Sequence, residues 1–217
     1  MESLRRQPTM ASMESVDLAL VLAIDVSASV DYDEFALMVN GLGRAFLDPD
    51  VIAAATGGPR GAVAVCALFW SEGQDVAVPW QRIAGAGDGA RVAEALEAAP
   101  RLPRPGATAL GEGLVAALRL LAQCPAEATR LVVDVSGDGA SNRGRAPGPV
   151  RDVAVSGGAT INGLAVLNEE PDLMDHYREA VIGGPGAFVM DCADYADFAE
   201  AIGRKLVREM RGTFGTV

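Results

Sequence analysis

The sequence predicts an α/β three-layer sandwich: a mostly parallel six-stranded sheet with one antiparallel edge strand, and helices on both faces. Three observations carry that expectation. Short runs rich in valine, isoleucine and leucine alternate with segments of helical spacing along the 217 residues, the mark of repeated strand–helix units with right-handed crossovers. The first run, 17–24 (DLALVLAI), is apolar at successive positions, as a strand covered on both faces must be. The second and third runs, 62–70 and 75–80, are joined only by SEGQ. So short a link suits a hairpin and not a parallel crossover.

Each further element has a local reason. The first helix opens at Asp31 with Glu34 three residues on, the capping-box spacing. Phe35, Met38, Val39, Leu42 and Phe46 then fall on one side of it. Helical segments at 89–99 and 109–123 flank the loop PRLPRPGAT, and a fourth strand, 130–135, runs into the glycine-rich loop SGDGASNRGRAPG. There follow a helix at 149–156, a strand INGLAVL from Ile161, a helix at 173–181 and a last strand at 187–190. The final helix carries Tyr195, Phe198, Ile202 and Leu206 on one face. Its Arg204, Lys205, Arg208 and Arg211 read as a solvated face near a C-terminus, where positive charge suits the helix dipole. The folded domain is expected over 16–211, with tails at 1–15 and 212–217, and there is no internal repeat.

Composition narrows the function classes. Eighteen basic residues against 29 acidic ones give a net charge of −11, which argues against nucleic acid and against anionic membrane surfaces as partners. No apolar run approaches the roughly 18 residues of a membrane-spanning helix. The first residues, MESLRRQPTMASMES, hold two arginines with no apolar stretch behind them, unlike a signal peptide. The expectation is a cytoplasmic protein, or a periplasmic or secreted one if a leader lies outside this sequence. Cys66, Cys124 and Cys192 are far apart and odd in number, and are expected as buried, unpaired thiols.

In a sheet of this kind chemistry gathers at the carboxyl ends of the strands, where the strand order reverses. The loops after the first and fourth strands are therefore the places to search. The first ends in Asp25-Val26-Ser27-Ala28-Ser29: one carboxylate and two hydroxyls at alternating positions, an all-oxygen set of the type hard cations prefer, Mg²⁺ above all. By themselves Ser27 and Ser29 suit turn and capping duty equally well. Thr108, in PGAT before a helix, and Asp138, in SGDG after the fourth strand, belong to loops expected at the same edge. Together the five would place two carboxylates and three hydroxyls around one divalent ion.

Several neighbours are candidates for a supporting role. Asp134 is a charge inside an apolar strand, and a buried carboxylate must find hydrogen bonds or a cation; it is expected either behind the metal loops or at a strand end facing water. Ser71 and Glu72 follow the second strand and are expected to rim the site, while Asn142, Arg143 and Arg145 are expected to border it or to hold their own loop. Acid–base catalysis is poorly supplied, because His176 is the only histidine and is expected at the surface or at a helix cap. Gly139 to Gly144 has P-loop glycine spacing, but Arg145 and Ala146 stand where lysine and a hydroxyl residue belong. An aspartyl-phosphate enzyme would need a second Asp where Ser27 stands.

D-x-S-x-S after the first strand, a loop Thr, and Asp before Gly after the fourth strand resemble the metal-ion-dependent adhesion site of von Willebrand factor type A domains. The resemblance spans about 16–211. It implies Asp25, Ser27 and Ser29 as first-loop ligands, Thr108 as the second-loop ligand and Asp138 as the third. DLALVLAIDVSASVD, SGDGASNRGR, TINGLAVLNEE, VIGGPGAFV and DYADFAEAIGRKLV further resemble a bacterial subgroup of these proteins. The function so implied is that of a non-catalytic adhesion or adaptor module that uses Mg²⁺, with Mn²⁺ or Ca²⁺ as alternatives, to take an Asp or Glu carboxylate from a protein ligand. The same resemblance implies that ligand binding shifts the final helix. The alternatives are a metal-dependent hydrolase or phosphoryl-transfer enzyme, from the same oxygen cluster, and an adaptor subunit of an ATPase complex.

Overall fold

The computed structural model describes residues 13–212, so the parts of the expected tails at 1–12 and 213–217 lie outside the described residues. β1 (Val16–Asp25) is buried along its whole length. Its residues divide by parity, as the period of two along a strand requires. Leu18, Leu20, Leu22 and Ile24 enter one core, and Ala19, Val21 and Ala23 enter the other. That division is why the run is apolar at every position.

The first core lies under α1 (Tyr32–Leu47), α2 (Pro49–Thr56), α3 (Ala86–Glu97) and α7 (Phe198–Arg211). The second lies under α4 (Leu110–Ala122), α5 (Pro147–Ser156), the short α6 (Leu173–His176) and a π-helical turn, Tyr177–Val181. Between them the sheet runs β3 (Gln74–Ile83), β2 (Val63–Trp70), β1, β4 (Ala128–Gly137), β5 (Ala159–Val166) and β6 (Val189–Cys192). Only β3 is antiparallel, paired to β2 across the expected hairpin. The expected sandwich is the observed one. The chain leaves β1 toward β2 and β3, then returns to lay β4 on the other side of β1, so the order reverses between β1 and β4. Their carboxyl ends stand side by side, with Ile24 opposite Ser136.

The capping box forms as expected: the Asp31 carboxylate accepts from the Asp33 and Glu34 amides, and Glu34 accepts from the Asp31 amide. Other details differ from expectation. α2 is not among the expected elements, although Asp48 caps it by accepting from the Asp50 amide at 2.7 Å and Pro49 occupies its first turn. The helix expected over 173–181 is a single α-helical turn followed by the π-turn, closed by the Ile182 amide donating to the Tyr177 carbonyl at 2.9 Å. β6 begins two residues later than expected, and Tyr195 precedes α7 and does not belong to it. The three cysteines are unpaired; Cys66 and Cys192 are buried, with thiols pushed up to about 12 mainly by burial, while Cys124 is half-buried.

Two expectations about charged residues are corrected together. Lys205 is not on a solvated face: its side chain is fully buried, 2.5 Å from Asp134 Oδ1 and 2.6 Å from Glu209 Oε1. Asp134 stands neither behind the metal loops nor in water. It sits mid-strand, paired in register with Leu22 and Asn162, and its parity turns it toward α7. Asn162 donates to Glu209 Oε1 at 3.0 Å, and Arg130 donates to the Glu209 and Met210 carbonyls at 2.9 and 3.0 Å. Burial first, then Asp134, pushes the Glu209 carboxyl up to about 8 against the pull of Lys205. This cluster fastens the last turns of α7 to β4 and β5.

Candidate metal centre

The strand-order reversal places three loops together above β1 and β4. In the first, the Ser27 amide donates to Asp25 Oδ1 at 2.7 Å, an Asx-type turn that folds the chain back on the carboxylate. Ser27 and Ser29 bring their hydroxyls within 3.1 Å, and the Ser29 hydroxyl donates to Asp138 Oδ1 at 2.7 Å across 109 residues of sequence. The second loop joins the first where the Ala28 amide donates to the Gly106 carbonyl at 2.9 Å. It joins the third through Asn142, whose side-chain oxygen accepts from the Thr108 amide at 3.0 Å while its own amide donates to the Thr108 carbonyl at 3.0 Å. A Cβ placed on Gly139 would lie 3.6 Å from Thr108 Oγ1, so Thr108 faces the residue that follows Asp138. All five expected ligands thus belong to one cluster. Asp25, Ser27, Thr108 and Asp138 are buried, and Ser29 opens to solvent.

The supporting residues divide differently from the expectation. Asn142 clamps the second loop to the third. Ser71 is buried and donates to the Arg104 carbonyl at 3.0 Å, so it steadies the Thr108 loop from below and is not part of a rim. Glu72 is exposed and pairs with Arg143 at 3.3 Å, which ties the turn after β2 to the third loop. Arg145 pairs with Glu112 at 2.9 Å.

Several contributors escaped the sequence. His176 is half-buried, and its Nε2 accepts from the Ser141 amide at 3.4 Å, so the lone histidine props the third loop; burial holds its imidazole below the ordinary value. Glu170 accepts from the Ala140 amide at 3.1 Å in the same loop. Arg101 bonds the Ser27 and Val30 carbonyls and lies over the rings of Tyr32 and Phe35. Tyr177 and Tyr195 are buried beside Asp25 and Asp138, and burial together with those carboxylates keeps both phenols protonated. His176 and Glu170 carried no local signal; Tyr177 and Tyr195 have the aromatic character of ordinary core residues.

The electrostatics state what the cluster lacks. Asp25 Oδ2 and Asp138 Oδ2 are buried with no hydrogen-bond partner. Burial, then the Asp138 charge, pushes the Asp25 carboxyl up to about 7, and burial likewise raises Asp138 against the hydrogen bond from Ser29. Among the described residues no Lys, Arg or His forms an ion pair with either. Nor do three His, Cys, Asp or Glu side chains gather into a ligand set among them; this centre has two carboxylates and three hydroxyls. Arg101 pulls the Asp25 carboxyl down only in small part; two converging acids with no ion pair among the described residues, completed by neutral oxygens and open on one side, fit a hard divalent cation.

Comparisons with known proteins place the fold. It is a von Willebrand factor type A-like fold: the von Willebrand factor type A protein from Catenulispora acidiphila superposes with a TM-score of 0.64 at 21% identity, over 90% of this chain and 43% of that one. Proximal thread matrix protein 1 from the mussel byssus, with a zinc-occupied metal-ion-dependent adhesion motif, superposes at 0.62 with 14% identity, over 91% and 48%. The pilus adhesin SpaC from Lactobacillus rhamnosus GG superposes at 0.66 with 14% identity, over 94% and 32%. This chain therefore spans less than half the length of each of these three proteins. No curated protein matches it. Among the described residues no helix is long and apolar enough to cross a membrane. A family model matches residues 15–214, nearly the whole chain, and by that match the protein belongs to the family described as "Protein of unknown function (DUF1194)".

Proposed function

We propose that this protein is a divalent-cation-dependent protein-binding module of the adhesion or adaptor type, without catalysis, whose metal ligands are Asp25, Ser27, Ser29, Thr108 and Asp138. The observation that carries it is the pair of buried carboxylate oxygens without hydrogen-bond partners, Asp25 Oδ2 and Asp138 Oδ2, with no ion pair to either among the described residues. Mg²⁺ suits an oxygen set with only two carboxylates, with Mn²⁺ and Ca²⁺ as alternatives. A mussel protein of the same fold with a zinc-occupied motif, and pilus adhesins of that fold, support the same direction.

When bound, the ion supplies positive charge with an open coordination position for an Asp or Glu oxygen of a partner protein. The chain's own residues make that position usable. Three neutral hydroxyls keep the ligand charge at two, so the ion is balanced without being oversupplied. Asn142, Ser71 and His176 hold the three loops in place beforehand, which lowers the ordering cost of binding. Ser29 is the exposed member and faces the partner side. Net charge of −11 does not oppose an acidic partner group there, because the ion inverts the local potential.

The test is thermal unfolding and affinity capture with Mg²⁺ and with chelator, using wild type and Asp138→Ala. Metal that binds only the native state should add about 2.7 kcal/mol at 100 times its dissociation constant. Asp138→Ala should lose that increment, and partner capture should vanish in chelator. Capture that persists in chelator refutes the metal-dependent part. Turnover of a phosphate or ester substrate that requires Mg²⁺ and is lost in Asp138→Ala would replace binding with hydrolysis or phosphoryl transfer.

A further inference from the structure

Beside the candidate centre lie two more buried oxygens without hydrogen-bond partners, the hydroxyls of Tyr177 and Tyr195. A phenol buried only for its ring is better replaced by phenylalanine, since a buried hydroxyl normally finds a partner. Both tyrosines instead reach the centre, from opposite faces of the sheet: Tyr177 belongs to the core under α4 and α5, and Tyr195 to the core under α1 and α7.

The backbone makes a slot for Tyr177. A Cβ on Gly163 of β5 would stand 2.5 Å from Tyr177 Cδ1 and 3.0 Å from Cε1, so only glycine lets the ring lie against the strand. A Cβ on Gly137, at the end of β4, would stand 2.9 Å from Asp25 Oδ2 and 3.1 Å from Tyr177 Oη. The missing side chain leaves one gap that the unpartnered carboxylate oxygen and the unpartnered phenol both border. The π-turn that begins at Tyr177 widens the helix there, a distortion common at functional sites. On the other face, the buried Tyr195 hydroxyl, without a hydrogen-bond partner, acts on Asp138 and lowers its carboxyl.

We propose that Tyr177 and Tyr195 are outer positioning residues of the metal centre, their hydroxyls donating to one lone pair of Asp25 Oδ2 and Asp138 Oδ2 and leaving the other lone pair of each oxygen to the ion. This rests on the metal-binding function proposed above. Outer partners of metal ligands typically change metal affinity by about 10–100-fold when removed. Each phenol has its own carboxylate, so each is testable alone.

The experiment titrates Mg²⁺ into wild type, Tyr177→Phe and Tyr195→Phe by calorimetry, and records the tyrosine near-ultraviolet difference spectrum in the same titration. Melting in chelator checks that each variant folds. Wild type should give a tyrosine signal that saturates with the metal. Tyr177→Phe and Tyr195→Phe should each weaken Mg²⁺ binding by about 10-fold or more and each lose part of that signal, while staying as stable as wild type in chelator. A ring that serves only packing would leave affinity and spectrum unchanged. Mg²⁺ binding within about twofold of wild type in both variants, with the spectral change intact, overturns the tyrosine role alone. Wild type that binds none of Mg²⁺, Mn²⁺ and Ca²⁺ overturns the metal centre and this role with it.

Discussion

Replacing Asp25 by asparagine should make the metal-free protein more stable and abolish its stabilisation by metal. Asp25 is fully buried, its carboxyl is pushed up to about 7 from 3.8, and among the described residues no basic side chain forms an ion pair with it. With metal removed, native Asp25 holds a proton up to pH 7 while the unfolded chain has released it near pH 4. Stability therefore falls as pH rises through that window and levels off above it. A rise of about three pH units, at roughly 1.4 kcal/mol each, is a cost on the order of 4 kcal/mol at pH 8. Asparagine keeps an oxygen for the Ser27 amide and has no charge to bury. Asp25→Asn in chelator should gain up to about 4 kcal/mol at pH 8 and almost nothing at pH 4, measured as the difference between two urea-unfolding series. Added Mg²⁺ should then stabilise wild type and leave the variant unmoved. A variant less stable than wild type in chelator at pH 8 would mean that Asp25 is a structural turn residue. A variant that keeps its Mg²⁺ increment would remove Asp25 from the ligands.

Two further outcomes test the frame around the site. Lys205→Met leaves Asp134 and Glu209 buried without their cation, and should cost about 3–5 kcal/mol in urea unfolding. Its Mg²⁺ increment should survive, because the cluster lies away from the metal loops; joint replacement of all three charges by apolar residues should recover most of the loss. Gly163→Ala should lose about 1–3 kcal/mol of stability, since the added methyl overlaps a ring with nowhere to retreat. In calorimetry the same variant should bind Mg²⁺ more weakly than wild type, and unchanged stability would show that Tyr177 is not held in a slot.

What the sequence discloses is set by how local the cause is. The DLALVLAI run reads as a doubly covered strand because its burial follows from its own composition, and the SEGQ link reads as a hairpin because four residues cannot cross a sheet. D-x-S-x-S is legible because strand end and turn are contiguous. Thr108 and Asp138 are legible only through the topology, which puts their loops at the same sheet edge, and the resemblance then names them as ligands; nothing near Asp138 in sequence says that it meets Ser29. Lys205 shows the opposite limit. In GRKLVREMR it looks like a solvated residue, and its burial depends on Asp134, from a strand more than 40 residues away, and on Glu209, which Asn162 of another such strand holds. Asp134 was legible as a carboxylate in need of a cation, and the cation came from α7 and not from the metal loops. α2 did carry a signal, Asp48 followed by Pro49, but its eight residues are short enough to pass for a connection.

The two ends of the sheet solve the same electrostatic problem in opposite ways, and the contrast bears on both metal binding and motion. Toward the end of α7, Asp134 and Glu209 are buried with Lys205 between them, and Arg130 takes up the last helical carbonyls. That charge is matched inside the chain. Above β1 and β4, Asp25 and Asp138 are buried just as deeply, yet Arg101, the basic group acting on Asp25, directs its hydrogen bonds to the Ser27 and Val30 carbonyls. A chain that builds an internal cation for one acidic pair and leaves the other facing an exposed hydroxyl has an acidic site that an external cation would complete. The same contrast opposes a shift of α7 on ligand binding, which the family resemblance alone would suggest. Sliding the helix would carry Lys205 and Glu209 together away from Asp134 and leave that buried carboxylate without its cation, a substantial cost. The loops above β1 and β4 are therefore built on a frame whose last helix is tied to β4 by a buried ion pair.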